Sequence, residues 1–157
     1  MAVGRPLTDG EWGALSPGLA TALRAAGAEP LVRAAAHPAA RIAALWRGGV
    51  PILTRGDLIW WPRAAADLSA PGLERAMAVL QHELQHVLDY RLGRLTALRY
   101  IVDPREWTYR WRLGGDWSGY GAEQRAAIAE ALWLMERGLS PGDDLEAVRQ
   151  LVPWAAG

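Results

Sequence analysis

The chain contains no cysteine, no phenylalanine and no lysine among its 157 residues. Without cysteine it has no disulfide, no thiolate nucleophile and no cysteine-bound zinc, so any metal must be held by His, Asp or Glu. The 17 basic residues balance 17 acidic ones, and the formal net charge is zero. We therefore expect no overall field that attracts nucleic acid or an anionic membrane.

Long apolar runs are also missing from the sequence. No stretch approaches the roughly 20 apolar residues that cross a bilayer. Residues 1–19 hold one arginine and no continuous apolar segment of the kind that secretory signal peptides carry. We expect a cytoplasmic protein that does not bind membranes, although export by a dedicated secretion system needs no such signal. The oligomeric state stays open.

The composition that remains is typical of a folded globular protein. Hydrophobic residues make up 51% of the chain, charged residues 22%, and nine residues are tryptophan. A chain of this length buries a core of its own, and its sequence shows no linker or repeat. We predict a single domain over residues 1–157.

Two of the three histidines lie in the segment His82-Glu83-Leu84-Gln85-His86. On a helix, residues four apart project from one face with Cβ atoms about 5–6 Å apart, so both imidazoles can bind one ion. Zinc binds imidazole nitrogen at about 2.0–2.1 Å, and the Glu83 carboxylate then points beside the ion, within reach of a water on the metal. The spacing predicts a zinc half-site.

The same segment lies inside the clearest helical pattern of the chain. Pro71 stands near its start and Gly93 at its end. Apolar residues recur at spacings of three and four: Leu73, Met77, Leu80, Leu84 and Leu88. We predict a helix of about 20 residues with one apolar face and, on another side, a polar stripe that carries the histidines.

Shorter elements are predicted on both sides of this helix. A capping box at Thr8–Glu11 opens a helix that is interrupted near 17–18, and Gly56 marks the turn of a β-hairpin. Pro51 and Pro62 make both hairpin strands candidates for sheet edges. The predicted ranges are helix at about 9–26, strands at 31–36, 50–54 and 58–61, and helices at 121–137 and 143–151. The expected fold class is α+β, mostly helical, with a short sheet or hairpin packed on the histidine helix.

A catalytic zinc site takes three protein ligands and leaves one position for water. The third histidine, His37, is more typical of a surface or packing residue. Glu123 and Glu130 lie seven apart on one face of a late predicted helix, and the alanines between them permit close approach of another helix. We favour Glu123 as the third ligand and keep Glu130 as the alternative. Asp89 is a candidate hydrogen-bond partner for a ligand imidazole, and a solvated aspartate late in the helix is the alternative.

The segment 82–87 preceded by a hairpin, together with Tyr120-Gly121-Ala122-Glu123-Gln124 opening a later helix, resembles the zincin metallopeptidases. The likeness is to the gluzincins, whose third ligand is a glutamate, and most of all to small bacterial zincin-like domains linked to Vgr spike proteins and contractile injection systems. It covers about residues 45–137, which would form the core of the metal site. It implies a small α+β domain with a short sheet, an active-site helix and a ligand helix behind it.

The resemblance also implies roles for individual residues. His82, His86 and Glu123 would bind Zn²⁺, and Glu83 would be the general base when a metal-activated water attacks a peptide carbonyl. The substrate would then be a peptide or protein. Many gluzincins place an acidic residue four positions after the ligand glutamate to support a histidine, and this chain has Ala127 there.

The sequence contains no transition-state donor at a fixed offset from the motif. Tyr120, Tyr109 or a nearby arginine are candidates, and we choose Tyr120 as the catalytic tyrosine. The alternative to a peptidase is a noncatalytic zincin-like module that serves binding or delivery in an injection or phage-like system. Nucleic-acid binding by residues 94–112, which hold five arginines and several aromatic residues, is disfavoured by the zero net charge.

Overall fold

The computed structural model describes residues 4–40, 50–140 and 144–155, and it has an α+β fold with more helix than sheet, as the sequence predicts. Two 3₁₀ turns, Pro104–Trp107 and Trp117–Gly119, precede the second-last helix. The predicted starts of the metal-site region at 45 and of the last helix at 143 lie outside the described residues. In chain order the strands and helices are β1 Arg5–Pro6, α1 Asp9–Ala14, α2 Pro17–Ala25, β2 Leu31–Arg33, β3 Leu53–Arg55, β4 Leu58–Trp60, α3 Glu74–Arg91, α4 Ala97–Val102, α5 Ala122–Glu136 and α6 Leu145–Leu151.

The predicted capping box begins helix α1. The Thr8 hydroxyl accepts the Glu11 backbone N–H at 3.0 Å, and the Glu11 carboxylate accepts the Thr8 N–H at 2.9 Å. The same carboxylate is fully buried and also binds the Arg5 guanidinium and the Leu68 N–H. One glutamate thus ties the first strand, the first helix and the segment before α3 together. The predicted interruption near Pro17 is confirmed, since α2 begins there.

Four strands form one sheet in the order β1-β2-β4-β3. Strands β3 and β4 pair antiparallel around Gly56, whose positive φ of 60° suits glycine, so the predicted hairpin is confirmed. Strand β2 pairs parallel with β4 and antiparallel with β1. Strand β4 lies between β2 and β3, so the expectation that both hairpin strands are edges is wrong for β4. Pro62 is compatible with this inner position because it lies beyond the end of β4 and removes no ladder hydrogen bond.

Helix α3 lies at the centre of the fold. Its apolar face belongs to a core cluster shared with α2 and the sheet, in which Leu84, Leu19 and Ile59 are all buried. Every residue from Leu80 to Asp89 is buried. The polar stripe was predicted along one side of the helix, and it faces protein, not water, because α5 covers it.

Helix α5 packs against α3 and contains several buried small residues. Ala122, Ala126 and Ala129 are all fully buried, and alanines at such positions let helix axes come near each other. The opposite face of α5 packs against α6 in a second core cluster that includes Ile128, Leu132, Val148 and Val152. Among the described residues, no helix has the length and apolar character needed to cross a bilayer.

Candidate metal centre

Helices α3 and α5 bring His82, His86 and Glu123 together. The Glu123 Oε2 atom lies 3.0 Å from His82 Nε2 and 3.4 Å from His86 Nε2. One ligand atom from each residue lies within 4.8 Å of the other two, and all three residues are buried. Two ligands bound at about 2.0–2.1 Å in tetrahedral geometry are roughly 3.3 Å apart. The spacing and the N, N, O donor set therefore fit a zinc ion.

The start of α5 fixes where Glu123 points. The buried Glu106 carboxylate accepts the Ala122 N–H at 2.6 Å, at the helix end where backbone N–H groups lack partners. Its other oxygen accepts a hydrogen bond from Arg99 Nε at 2.6 Å. Gly121 precedes the helix because a Cβ there would clash with the backbone of the 3₁₀ turn Pro104–Trp107. This anchoring places the first turn of α5 beside the histidines.

Tyr100 on α4 holds the second oxygen of the candidate ligand carboxylate. Its hydroxyl donates to Glu123 Oε1 at 2.6 Å, which leaves Oε2 facing the imidazoles. Burial and the nearby negative charge of Glu123 raise the pKa of Tyr100 above its usual value, so the phenol remains a donor. Burial opposes ionisation of Glu123, but hydrogen bonds with both histidines hold its pKa well below the usual carboxyl range. Glu123 is thus an oriented carboxylate, as a metal ligand must be.

Glu130, the alternative third ligand, binds the far side of His82. Its Oε2 atom lies 3.2 Å from His82 Nδ1, while His82 Nε2 faces Glu123. Burial opposes a charge on the imidazole, but the hydrogen bonds to the two carboxylates outweigh it and raise the pKa of His82 to about 10. A carboxylate on Nδ1 orients a ring whose Nε2 binds metal. Glu130 thus supports the His82 imidazole, as an acidic residue at position 127 would have done; this chain has Ala127 there.

His86 has a different environment. Among the described residues its buried Nδ1 has no hydrogen-bond partner. Asp89, the candidate partner of a ligand imidazole, bonds no imidazole, and it is buried, not solvated. Its carboxylate accepts Gln85 Nε2 at 3.0 Å and Arg125 Nε at 2.8 Å. The pair with Arg125, which is also buried, joins α3 to α5 next to the candidate ligands.

Glu83, the predicted general base, is buried and held by the sheet. Thr54 on β3 donates its hydroxyl to Glu83 Oε2 at 2.6 Å. The negative charge of Glu83 contributes to the raised pKa of His82, which places the carboxylate in the electrostatic environment of the cluster. The hairpin therefore positions the Glu83 carboxylate, a role that its sequence did not reveal.

The structure does not bring Tyr120 to this cluster. Its hydroxyl donates to the Arg112 carbonyl and accepts the Gly115 N–H at 3.2 Å, and its ring packs in the second core cluster. The choice of Tyr120 as catalytic tyrosine is therefore corrected, because its hydroxyl serves a loop. The ring of Tyr109 instead stacks on His82 with centroids 6.1 Å apart, and 54% of Tyr109 is exposed.

Two further outcomes concern residues outside the motif. His37 packs edge-on against Trp60 and accepts the Ala39 N–H, so it acts as a packing residue, as the sequence favours. Sequence reasoning missed Tyr100 as a partner of Glu123. Its only signal was membership of an aromatic-rich segment.

Comparison of the chain with protein-family models, with curated proteins and with solved structures finds no match. The chemistry of the site is therefore inferred from the residues of this chain alone. Two imidazole nitrogens and one carboxylate oxygen are the protein ligands of a mononuclear zinc hydrolase, in which a fourth position remains for water.

Proposed function

We propose that this chain is a zinc-dependent peptidase with a zincin-like fold of the gluzincin type. His82, His86 and Glu123 are the proposed ligands, and Glu83 is the proposed general base. The observation that carries the proposal is the convergence of three donor atoms on two buried helices at spacings that fit one zinc ion. The proposed substrates are peptides or proteins.

Zinc held by these residues would supply a Lewis acid that acidifies water and polarises a carbonyl group. The role of Glu83 is to accept a proton from the attacking water and to pass it to the nitrogen of the leaving amine. The Thr54 hydroxyl holds the Glu83 carboxylate in one orientation for both transfers. Tyr109, which lies over His82 and is half exposed, replaces Tyr120 as the proposed hydrogen-bond donor to the substrate.

The polar contacts around the ligands support a built site over a chance cluster. Buried polar groups cost stability unless they are paired, and here the pairing orients donor atoms toward one point. Tyr100 and Glu130 each bind the atom of a ligand residue that faces away from that point. Such partners typically change metal affinity by about 10–100-fold when they are removed.

The test is a peptide-library digest with the natural chain, Glu83→Gln and a control, Glu74→Gln, which changes an exposed glutamate on the same helix. We expect cleavage by the natural chain and the control, loss of cleavage with chelator and its return with zinc. Glu83→Gln should keep its zinc and lose cleavage by roughly 10²–10⁴-fold. Undiminished cleavage by zinc-loaded Glu83→Gln would rule out the proposed base.

A second candidate is a noncatalytic zincin-like binding or delivery module. The observation that favours it is the burial of Glu83 and of all three candidate ligands, with exposures of only 4–8%. Zinc at such a closed site would be structural. A natural chain that holds zinc but cleaves nothing in the same digest would favour this module over the peptidase.

A further inference from the structure

Exposed apolar side chains are concentrated in one stretch of the molecule. Among the described residues, nine large hydrophobic side chains are exposed, and seven of them lie between Leu92 and Leu113. Single exposed apolar residues are common, but a contiguous group on a small protein usually marks an interaction site. This stretch includes α4 and the 3₁₀ turn that holds the start of α5.

The group is most pronounced on α4, which has no buried residue. Leu98, Ile101 and Val102 are 71%, 66% and 64% exposed, and their spacing of three and four places them on one helix face. Tyr100, on the same helix, reaches inward to Glu123. Helix α4 therefore has one side anchored at the candidate metal centre and an outer apolar face that nothing in the described chain covers.

The stretch that contains this apolar face also has a net positive charge. Between residues 92 and 113 the chain has five arginines and two acidic residues, a net charge of +3, whereas the whole chain has none. Both acidic residues, Asp103 and Glu106, are already paired with arginines of the same stretch. Within the described part of the chain, the exposed side chains of Arg110 and Arg112 form no salt bridge. The stretch is therefore complementary to a partner that is both apolar and acidic.

The chemistry of the surface selects one kind of occupant. A second copy would bring together two stretches that each have a net charge of +3, which is unfavourable. Nucleic acid would satisfy the arginines but would bury little of an aliphatic face, because base recognition uses aromatic stacking or polar edges. A polypeptide segment offers apolar and acidic side chains together. It would also lie beside the site, because Tyr109 in the same stretch stacks on His82.

We propose that Leu98, Ile101 and Val102, with Arg110 and Arg112, form a docking surface for an acidic polypeptide segment that carries apolar side chains. Its assignment as the protein substrate of the adjacent metal centre rests on the proposed peptidase function. The docked segment is held outside the site. The scissile part of the same substrate polypeptide reaches the candidate ligands past Tyr109.

The experiment selects a displayed random-peptide library on the full-length Glu83→Gln protein, which binds without cleaving. We expect enriched peptides to combine Asp or Glu with large apolar residues. The double variant Leu98→Ser/Ile101→Ser should bind them at least about tenfold more weakly, while Leu139→Ser, at an exposed leucine outside the stretch, should bind them normally. Arg110→Glu should also weaken binding and reduce its dependence on salt.

Several results would overturn the docking surface. These are no enrichment, enrichment of basic or purely polar peptides, and equal binding by the double variant. Binding of phosphatidylglycerol vesicles that the double variant loses would make the occupant a membrane, and a dimer that the double variant loses would make it a second copy.

A second measurement separates this inference from the proposed function. A selected peptide is fused to a protein that the natural chain cleaves. The fusion should lower the KM of this substrate for the natural chain but not for the double variant. Zinc-dependent cleavage with no such effect would overturn the docking inference alone. Peptide binding without any zinc-dependent cleavage would overturn the peptidase and, with it, the assignment of the docked segment as substrate.

Discussion

Replacing Asp89 by asparagine should destabilise the protein strongly. Asp89 is fully buried, Arg125 is 3% exposed, and their oxygen and nitrogen atoms are 2.8 Å apart. Burial raises the pKa of Asp89 while Arg125 opposes the rise, as in a desolvated ion pair. Removing one charge leaves the guanidinium buried without its partner. Among the described residues, its Nη2 already lacks a hydrogen bond.

The expected cost of Asp89→Asn is about 3–5 kcal/mol, the usual result of breaking a buried pair from one side. For a chain of this size each kcal/mol lowers Tm by about 2–4 °C, which gives a fall of roughly 6–20 °C. Urea unfolding at neutral pH measures the free energy directly. The surface variant Asp57→Asn, which breaks the partly exposed pair with Arg91, serves as control and should cost at most about 1 kcal/mol.

A second variant tests the reason for that cost. Replacing both partners, as in Asp89→Leu/Arg125→Met, removes the desolvated charges together and should recover most of the lost free energy. A cost below about 1 kcal/mol for Asp89→Asn would refute the reasoning, because the pair would then not hold α3 against α5. A double variant as unstable as Asp89→Asn would show that hydrogen bonds of the network, and not the unpaired charge, set the cost.

Three further predictions concern other contacts. Glu130→Gln should weaken zinc binding about tenfold, at the low end of such effects because Glu130 is 32% exposed beside His82; competition with a chromogenic chelator measures this, and an unchanged Kd would contradict it. Burial raises the pKa of Glu11, but the hydrogen bonds from Arg5, Leu68 and Thr8 together outweigh it and keep the pKa below the usual value. The stabilisation by Glu11 is complete above about pH 4.3 and is lost as pH falls through the lower folded value, so Glu11→Gln should flatten the acid limb of urea stability against pH. Gly121→Ala places a Cβ in clash with the backbone carbonyl oxygen of Arg105 and should lower Tm by several degrees in a thermal melt. An unchanged Tm would show that the start of α5 tolerates displacement.

Local patterns in the sequence were sufficient to predict the helix that carries the histidines, the capping box and the hairpin. Each depends on residues a few positions apart, such as Thr8 with Glu11 or His82 with His86. The α+β class followed from these elements. How completely the polar stripe is buried could not be read from these patterns, because it depends on the packing of α5 against α3, which is a contact between distant segments.

The partners of the candidate ligands could not be read in the same way. Tyr100 is 23 residues from Glu123, and Glu106 caps α5 from a 3₁₀ turn. The sequence offered Tyr120 next to the ligand helix, but adjacency in sequence does not decide where a hydroxyl points. Glu130 was considered only as a ligand, since its contact with His82 requires the register of two packed helices.

Metal content measured by elemental mass spectrometry tests the central claim most directly. The protein should be purified without an affinity tag, as the natural chain, Glu123→Ala, Glu83→Gln and the surface control Glu74→Gln. We expect about one zinc per chain in the natural protein, in Glu83→Gln and in the control, and sharply less in Glu123→Ala. A natural chain without zinc, or a Glu123→Ala variant that keeps all of it, would contradict a metal centre built from His82, His86 and Glu123.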